Sequence, residues 1–296
     1  MKNYTSVLVI YSLSAMRGKV EKFLPKIKQR LSLRFNVVDF VTTQTSKSAE
    51  EIALKSAGKY DVILALGGDG TLHQVINGVL KSEYRPIVGI LPFGTCNDVA
   101  RSLKMPKKLD DAINCILRLN TTNYDVAFDG ENYMTYSLAG GYLTTTSYQT
   151  TAKSKSRFGK LAYFFYALKN VFKFNALPLT VDADNERIHG KFNYFMLLNS
   201  EYAGGFKLNK GEDLSNKKIK LVMIKKGKFL GSFFVFLRLF FFGIKNIKKS
   251  RLAVVKDVSK IEIINHSNTS FCFDGEKYKF LKKKIKVSNS IKMIKN

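Results

Sequence analysis

Along the first 125 residues, short continuous apolar runs alternate with segments whose apolar positions recur every three or four residues. Val7–Tyr11, Asp61–Leu66 and Ile87–Leu91 read as buried strands, and Phe35–Val41 as an alternating one. Between them, Lys19–Leu31 places Val20, Phe23, Leu24, Ile27 and Leu31 at helical spacing. Ser48–Ala57, with Ser46 or Ser48 as N-cap, Leu72–Lys81, Asp98–Leu103 and Leu109–Leu119 are the other predicted helices. This alternation predicts a doubly wound parallel sheet of the α/β class.

The pattern changes near Tyr124. Strands then follow one another at Tyr124–Phe128, Tyr133–Leu138, Leu179–Ala183, Arg187–Leu198, Ile219–Lys225, Ala253–Val258, Lys260–Ile264, Phe271–Phe273 and Ile285–Ser288. Many alternate with period two, which predicts an antiparallel β-sandwich. Helical segments interrupt it near Gly159–Phe174 and Phe229–Phe242. The expected division is an α/β domain over 1–127 and an all-β sandwich over 128–285. The tail from about 286 to 296 is expected to pack back on the first domain.

Composition adds a field to this picture. The net charge is +26, of which residues 1–150 contribute 18 − 13 = +5 and residues 151–296 contribute 31 − 10 = +21. Such a field suits an anionic partner, unless lysine merely fills surface positions. Nucleic acid has only the charge in its favour, with no recognition motif, and is not an expected partner. Cys96, Cys115 and Cys272 stand far apart and suit a reducing, cytoplasmic compartment. His73, His189 and His266 form no ligand-like cluster in the sequence.

Candidate chemistry lies at the strand ends. Gly67-Gly68-Asp69-Gly70-Thr71 follows one buried strand and precedes a helix. Glycines there let backbone N–H groups approach a phosphate, the helix start adds a positive dipole end, and Thr71 offers a hydroxyl. A carboxylate at Asp69 would repel phosphate unless a cation lies between, which implies Mg2+. The bland alternative is a tight turn with no ligand. A second turn, Leu91-Pro92-Phe93-Gly94-Thr95-Cys96-Asn97-Asp98, follows the next strand. The chain carries neither a P-loop nor a Gly-x-Gly-x-x-Gly dinucleotide fingerprint.

Together with Asn77-Gly78, Tyr124-Asp125-Val126, Ala139-Gly140-Gly141, Phe158–Tyr163, Gly204-Gly205-Phe206 and Phe273-Asp274-Gly275-Glu276, these two turns resemble the diacylglycerol-kinase catalytic-domain family. The nearest likeness is to its soluble bacterial, sphingosine and ceramide kinase members. The resemblance implies a nucleotide domain like that of NAD kinases and phosphofructokinases. It implies ATP and Mg2+ as cofactors and transfer of the γ-phosphoryl group to a lipid hydroxyl, diacylglycerol foremost. It places Asp69 and Asp125 in a magnesium–water network, and Thr43, Gly67, Gly68, Gly70, Thr71, Gly94, Thr95 and Asn97 along the nucleotide. It gives Asp274 the acceptor hydroxyl and Glu276 the nucleotide or the network. Read without the family, Asp274-Gly275 is a hairpin turn.

The sequence departs from the family in three places. Ser12–Met16 replaces an Asn-Pro-x-Ser-Gly turn. Tyr142–Thr146 replaces a Phe-Asp pair on the lipid side. Asn216-Lys217 stands where many bacterial members carry a structural metal site, which is expected to be absent or rebuilt around Glu212, Asp213 and Asn216. No run of about 18 apolar residues occurs, so no membrane span is predicted. Phe229–Gly243, followed by Lys245, Lys248, Lys249 and Arg251, reads either as a core helix or as a segment lying on an anionic membrane surface. Two other readings remain open: a kinase for another lipid, prenyl alcohol or small metabolite, and a non-catalytic basic membrane-binding protein. The oligomeric state stays open, with a homodimer as one possibility.

Overall fold

The structure is a computed structural model that describes residues 4–13, 18–43, 48–141, 176–211 and 213–296. The predicted helix at Gly159–Phe174, the Phe158–Tyr163 and Tyr142–Thr146 stretches, Ser14, Met16, Ser46 and Glu212 lie outside the described residues. The chain forms two units, Met1–Asp125 with Asn289–Asn296, and Val126–Ser288.

The first unit runs β1 (Ser6–Ser12), α1 (Leu24–Leu31), β2 (Val37–Thr43), α2 (Ser48–Ser56), β3 (Val62–Gly67), α3 (Asp69–Lys81), β4 (Ile87–Pro92), α4 (Asp98–Ser102), α5 (Leu109–Arg118) and β5 (Thr121–Phe128), whose last residues enter the second unit. The strands β2-β1-β3-β4 are parallel neighbours. Both faces of β3 and β4 are buried, which is why their sequences are unbroken apolar runs. Lys19–Leu31 is not one helix as predicted. A 3-10 turn covers Val20–Phe23, and the α-helix starts at Leu24. Pro25 sets that start, since it lacks an N–H and its fixed φ suits the first helical turn. At the opposite edge of β3, Asp61 Oδ2 accepts hydrogen bonds from Thr5 N (2.8 Å), Ser6 Oγ (3.0 Å) and Ser6 N (3.1 Å). Burial pushes its carboxyl up, but these donors outweigh burial and hold it below the ordinary carboxylate range.

The second unit contains β6 (Tyr133–Met134), β7 (Ser137–Gly141), β8 (Leu177–Ala183), β9 (Glu186–Leu198), β10 (Tyr202–Ala203), β11 (Phe206–Lys207), β12 (Ile219–Lys225), α6 (Phe229–Phe242), β13 (Ala253–Val258), β14 (Lys260–Asn265), β15 (Phe271–Phe273), β16 (Glu276–Tyr278) and most of β17 (Lys282–Ile294). Pairing is antiparallel throughout, in the order β16-β15-β7-β9-β8-β14-β17, and β12 with β13 branches off β9. The branch explains the apolar run Phe192–Leu198. Phe195 and Leu197 enter a core with Leu221, Met223, Ile263 and Phe271. Tyr194, Met196 and Leu198 point the other way, onto Phe236, Leu239 and Phe240 of α6. Among the described residues no helix is long and apolar enough to cross a membrane.

Candidate active site

Parallel register aligns the carboxyl ends of four strands. Thr42, Tyr11, Leu66 and Leu91 form one cross-strand row, and the next residues are Thr43 opposite Ser12 and Gly67 opposite Pro92. Strand carboxyl ends in an open α/β sheet are where ligands bind. Thr42 Oγ1 is buried in that row without a hydrogen-bond partner among the described residues. The sequence drew attention to Thr43 and missed this orphaned hydroxyl.

Gly68 caps α3, so Asp69, Gly70 and Thr71 form the first helical turn, three residues before the predicted start at Leu72. Their N–H groups are therefore among those a helix leaves without an internal partner. A Cβ on Gly67 would lie 2.6 Å from Thr71 Oγ1, so this glycine makes room for the threonine. The second turn is packed against the first: a Cβ on Gly94 would lie 2.5 Å from Gly68 Cα. Gly70 differs, for a Cβ there meets no atom within 4 Å. Asp69 Oδ1 accepts from Val99 N at 3.3 Å, which ties the first turn to α4.

Asn97 holds the second turn closed. Its Oδ1 accepts from Gly94 N (3.0 Å) and its Nδ2 donates to Gly94 O (2.9 Å). That pair of hydrogen bonds is made from a left-handed backbone conformation, φ 52°, which asparagine tolerates better than most residues. Asn97 thus shapes the Gly94-Thr95 backbone from behind.

Each of the other expected carboxylates has its own surroundings. Asp125 is buried in β5 and accepts from Ser290 Oγ on β17. Ser290, Asn123, Asp61 and Ile87 line a cavity of about 580 Å3 at the end where β3 and β4 start, whereas Gly68, Asp69 and Gly94 stand where those strands finish. Ser290 had no signal in the sequence, because its role depends on a pairing between strands far apart in the chain.

In the second unit Asp274 and Gly275 form the two-residue loop of the β15–β16 hairpin, with φ 46° and 93°. Positive φ at both positions is the type I′ pattern that Asp-Gly favours. The Asp274 carboxylate is buried and receives four donors: Thr135 N (2.5 Å) and Thr135 Oγ1 (2.7 Å) on Oδ2, Tyr136 N (2.9 Å) and Ser137 N (2.7 Å) on Oδ1. Three successive backbone N–H groups converging on one anion break the predicted strand Tyr133–Leu138 into β6 and β7. Glu276 is exposed at the start of β16. Tyr278, two residues on, donates to the buried Asp129; burial first, and this bond second, push its phenol up to about 12.

Near the expected metal region, Asp213 Oδ1 accepts from Ser215 N (2.9 Å) and Ser215 Oγ (2.7 Å), and Asn216 Oδ1 from Lys218 N (2.9 Å). These oxygens serve local turns. Elsewhere His189 and His266, distant in sequence, both bond Thr180 Oγ1, at 2.8 and 2.9 Å.

Comparison with known proteins bears on the whole arrangement. The diacylglycerol kinase catalytic domain family matches residues 6–128. A diacylglycerol kinase of Staphylococcus saprophyticus is 31% identical over 220 residues, 74% of this chain and 72% of the relative. One of Staphylococcus haemolyticus is 30% identical over 220 residues, 74% of this chain and 67% of the relative. A crystal structure of a diacylglycerol kinase from Bacillus anthracis covers 100% of this chain and 98% of its own at a TM-score of 0.78 and 21% identity. A second from the same organism covers 100% and 97% at 0.83 and 22%. At those identities the structural likeness establishes the fold alone.

Proposed function

The chain belongs to the diacylglycerol kinase family, and from that premise we propose that it uses ATP with Mg2+ to phosphorylate diacylglycerol held in a membrane. Membership makes it a lipid kinase, a phosphotransferase with an alcohol acceptor that uses ATP. The observation that carries the nucleotide site is the open face of Gly70 beside a helix start. Gly67, Gly68 and Gly94 answer to the protein's own packing, whereas Gly70 is exposed and leaves open space at the helix start, where a phosphate would fit.

Phosphoryl transfer asks the protein for position and charge neutralisation more than for covalent chemistry. The N–H groups at the start of α3 and the Gly94-Thr95 backbone would hold phosphate oxygens. Thr42, Thr43 and Thr71 would add hydroxyls at the same strand edge. A hydrated magnesium ion is held largely by phosphates and needs one or two carboxylates, which Asp69 at the head of α3 fits. The chemistry it would supply there is charge neutralisation at the phosphates. Asp125, clamped by Ser290, is assigned to holding β5 and β17.

The acceptor side is assigned to the second unit. Three of these four donors to Asp274 are backbone groups, and the fourth, the Thr135 hydroxyl, is a side-chain donor. An incoming lipid hydroxyl would replace Thr135 Oγ1 on Oδ2 and be oriented by the same carboxylate. A radiolabelled ATP assay on dioleoylglycerol and a panel of other lipid alcohols in mixed micelles tests the proposal. Wild type should label diacylglycerol, and Asp69→Asn should lower kcat by on the order of a hundredfold while the melting curve is kept. No labelled lipid from wild type overturns the proposal; preference for another alcohol corrects the acceptor.

A further inference from the structure

We propose that the outer face of α6, together with the basic segment that follows it, is the surface by which the protein docks on an anionic bilayer. The inference rests on the lipid-kinase reading, which puts the acceptor in a membrane. Phe236, Leu239 and Phe240 face the core at 1%, 0% and 7% exposure, and Ser232 Oγ accepts from the buried Asn193 Nδ2 at 2.8 Å. The inner face is thereby fixed to β9 and β12. The opposite face leaves Leu230, Phe234, Phe241 and Phe242 at 65%, 59%, 60% and 69% exposure. These are four of the most exposed large apolar side chains among the described residues, gathered within one helix of 14 residues. At roughly 1.5 Å per residue the helix is about 21 Å long, too short to span a bilayer but suited to lying in its interface.

Charge selects the occupant. No Asp or Glu occurs between Asp213 and Asp257. Arg238 is exposed within the apolar face, and exposed Lys245, Lys248, Lys249 and Arg251 follow it, with no ion-pair partner among the described residues. A second copy of the chain would bring two such basic rims together, which disfavours self-association. Anionic headgroups neutralise the rim while the phenylalanine tips enter the acyl boundary.

The full chain is sedimented with phosphatidylcholine vesicles, with and without phosphatidylglycerol, in the absence of ATP. Wild type should bind the anionic vesicles and lose them as salt rises. The pair Phe234→Ser with Phe242→Ser should weaken binding by at least about tenfold, and Lys245→Glu with Lys248→Glu and Lys249→Glu by on the order of a hundredfold. Both variants should phosphorylate a water-soluble short-chain diacylglycerol at the wild-type rate. Wild type that ignores anionic vesicles, or variants that bind as wild type does, overturn the docking face and leave the lipid-kinase reading intact. A wild type that binds vesicles but never phosphorylates the short-chain lipid removes that reading and leaves the surface. A dimer in sedimentation velocity that Phe234→Ser splits assigns the face to a second copy and overturns the proposal.

Discussion

A methyl group added at Gly70 meets open space, whereas one added at Gly94 would lie 2.5 Å from Gly68 Cα. The two glycines therefore separate the proposed binding role from packing. Gly70→Ala should keep or slightly raise stability, by up to about 1 kcal/mol, because alanine is the better helix residue. It should raise the KM for ATP, since its methyl occupies the space proposed for phosphate. Gly94→Ala should cost roughly 1–3 kcal/mol through overpacking. Thermal melts beside ATP titrations read both, and an unchanged KM in Gly70→Ala would count against the nucleotide assignment. Thr42 makes a sharper case. Its hydroxyl is buried without a partner among the described residues, so Thr42→Val should be neutral or stabilising by about 1 kcal/mol. If phosphate is the missing partner, the same change raises the KM for ATP severalfold. A rise in Thr43→Val with none in Thr42→Val would return the role to the residue that the family resemblance picks out.

At the scale of elements, Asp61 ties the start of β1 to the start of β3 through donors on Thr5 and Ser6. Its carboxyl titrates below the ordinary range when folded. The stabilisation is therefore complete above about pH 4, the unfolded value, and is lost as pH falls through the lower folded value. Asp61→Asn should cost roughly 1–3 kcal/mol near neutrality, and the gap from wild type should close below about pH 4. Urea midpoints measured across that range give the answer; a gap that stays constant into acid would rule the carboxylate out as its source. Elements such as β12 and α6 were legible to the residue, because their apolar runs end where lysines and glycine begin. The misreadings have local causes. Asp69 to Thr71 have weak helix propensity and read as a turn, yet the Gly68 cap makes them the head of α3. Tyr133–Leu138 alternates like one strand, but Asp274 draws three of its amides out of the ladder from 137 to 139 residues away. No local pattern encodes that. In the candidate site the two glycine turns and the Asp-Gly hairpin were visible as motifs; Ser290, Thr135 and the packing of Gly94 on Gly68 were not, since each depends on a contact made only in the fold.

For the whole molecule, the first unit is completed by residues the chain reaches last. Met293 pairs with Val88, and Ile291, Met293 and Ile294 are buried. A Cβ on Gly89 would lie 2.9 Å from Ile294 Cδ1, so the sheet leaves a glycine-wide slot for that side chain. Lys295 N donates to Asn120 O (2.9 Å) and Arg118 Nη2 to Asn296 Oδ1 (2.6 Å), which closes the strand against the loop after α5. Periodicity in the sequence gave only Ile285–Ser288 as a strand, because Ser288-Asn289-Ser290 breaks the apolar alternation. In the fold, β17 continues through that polar stretch, where Ser290 finds Asp125. Losing each of the three buried side chains to a cavity costs roughly 2–5 kcal/mol. Together that matches the entire stability of an ordinary domain, about 5–15 kcal/mol. A protein shortened after Ser288 should therefore lose the cooperative melt of the first unit and its ATP binding, although every residue proposed for the nucleotide site is still present. Ile294→Ala, the milder change, should keep ATP binding at low temperature and lower the urea midpoint by an amount within the single-residue range. Retained ATP affinity in the shortened protein would mean that residues 1–125 fold without this strand, and the nucleotide half would then be an independent domain.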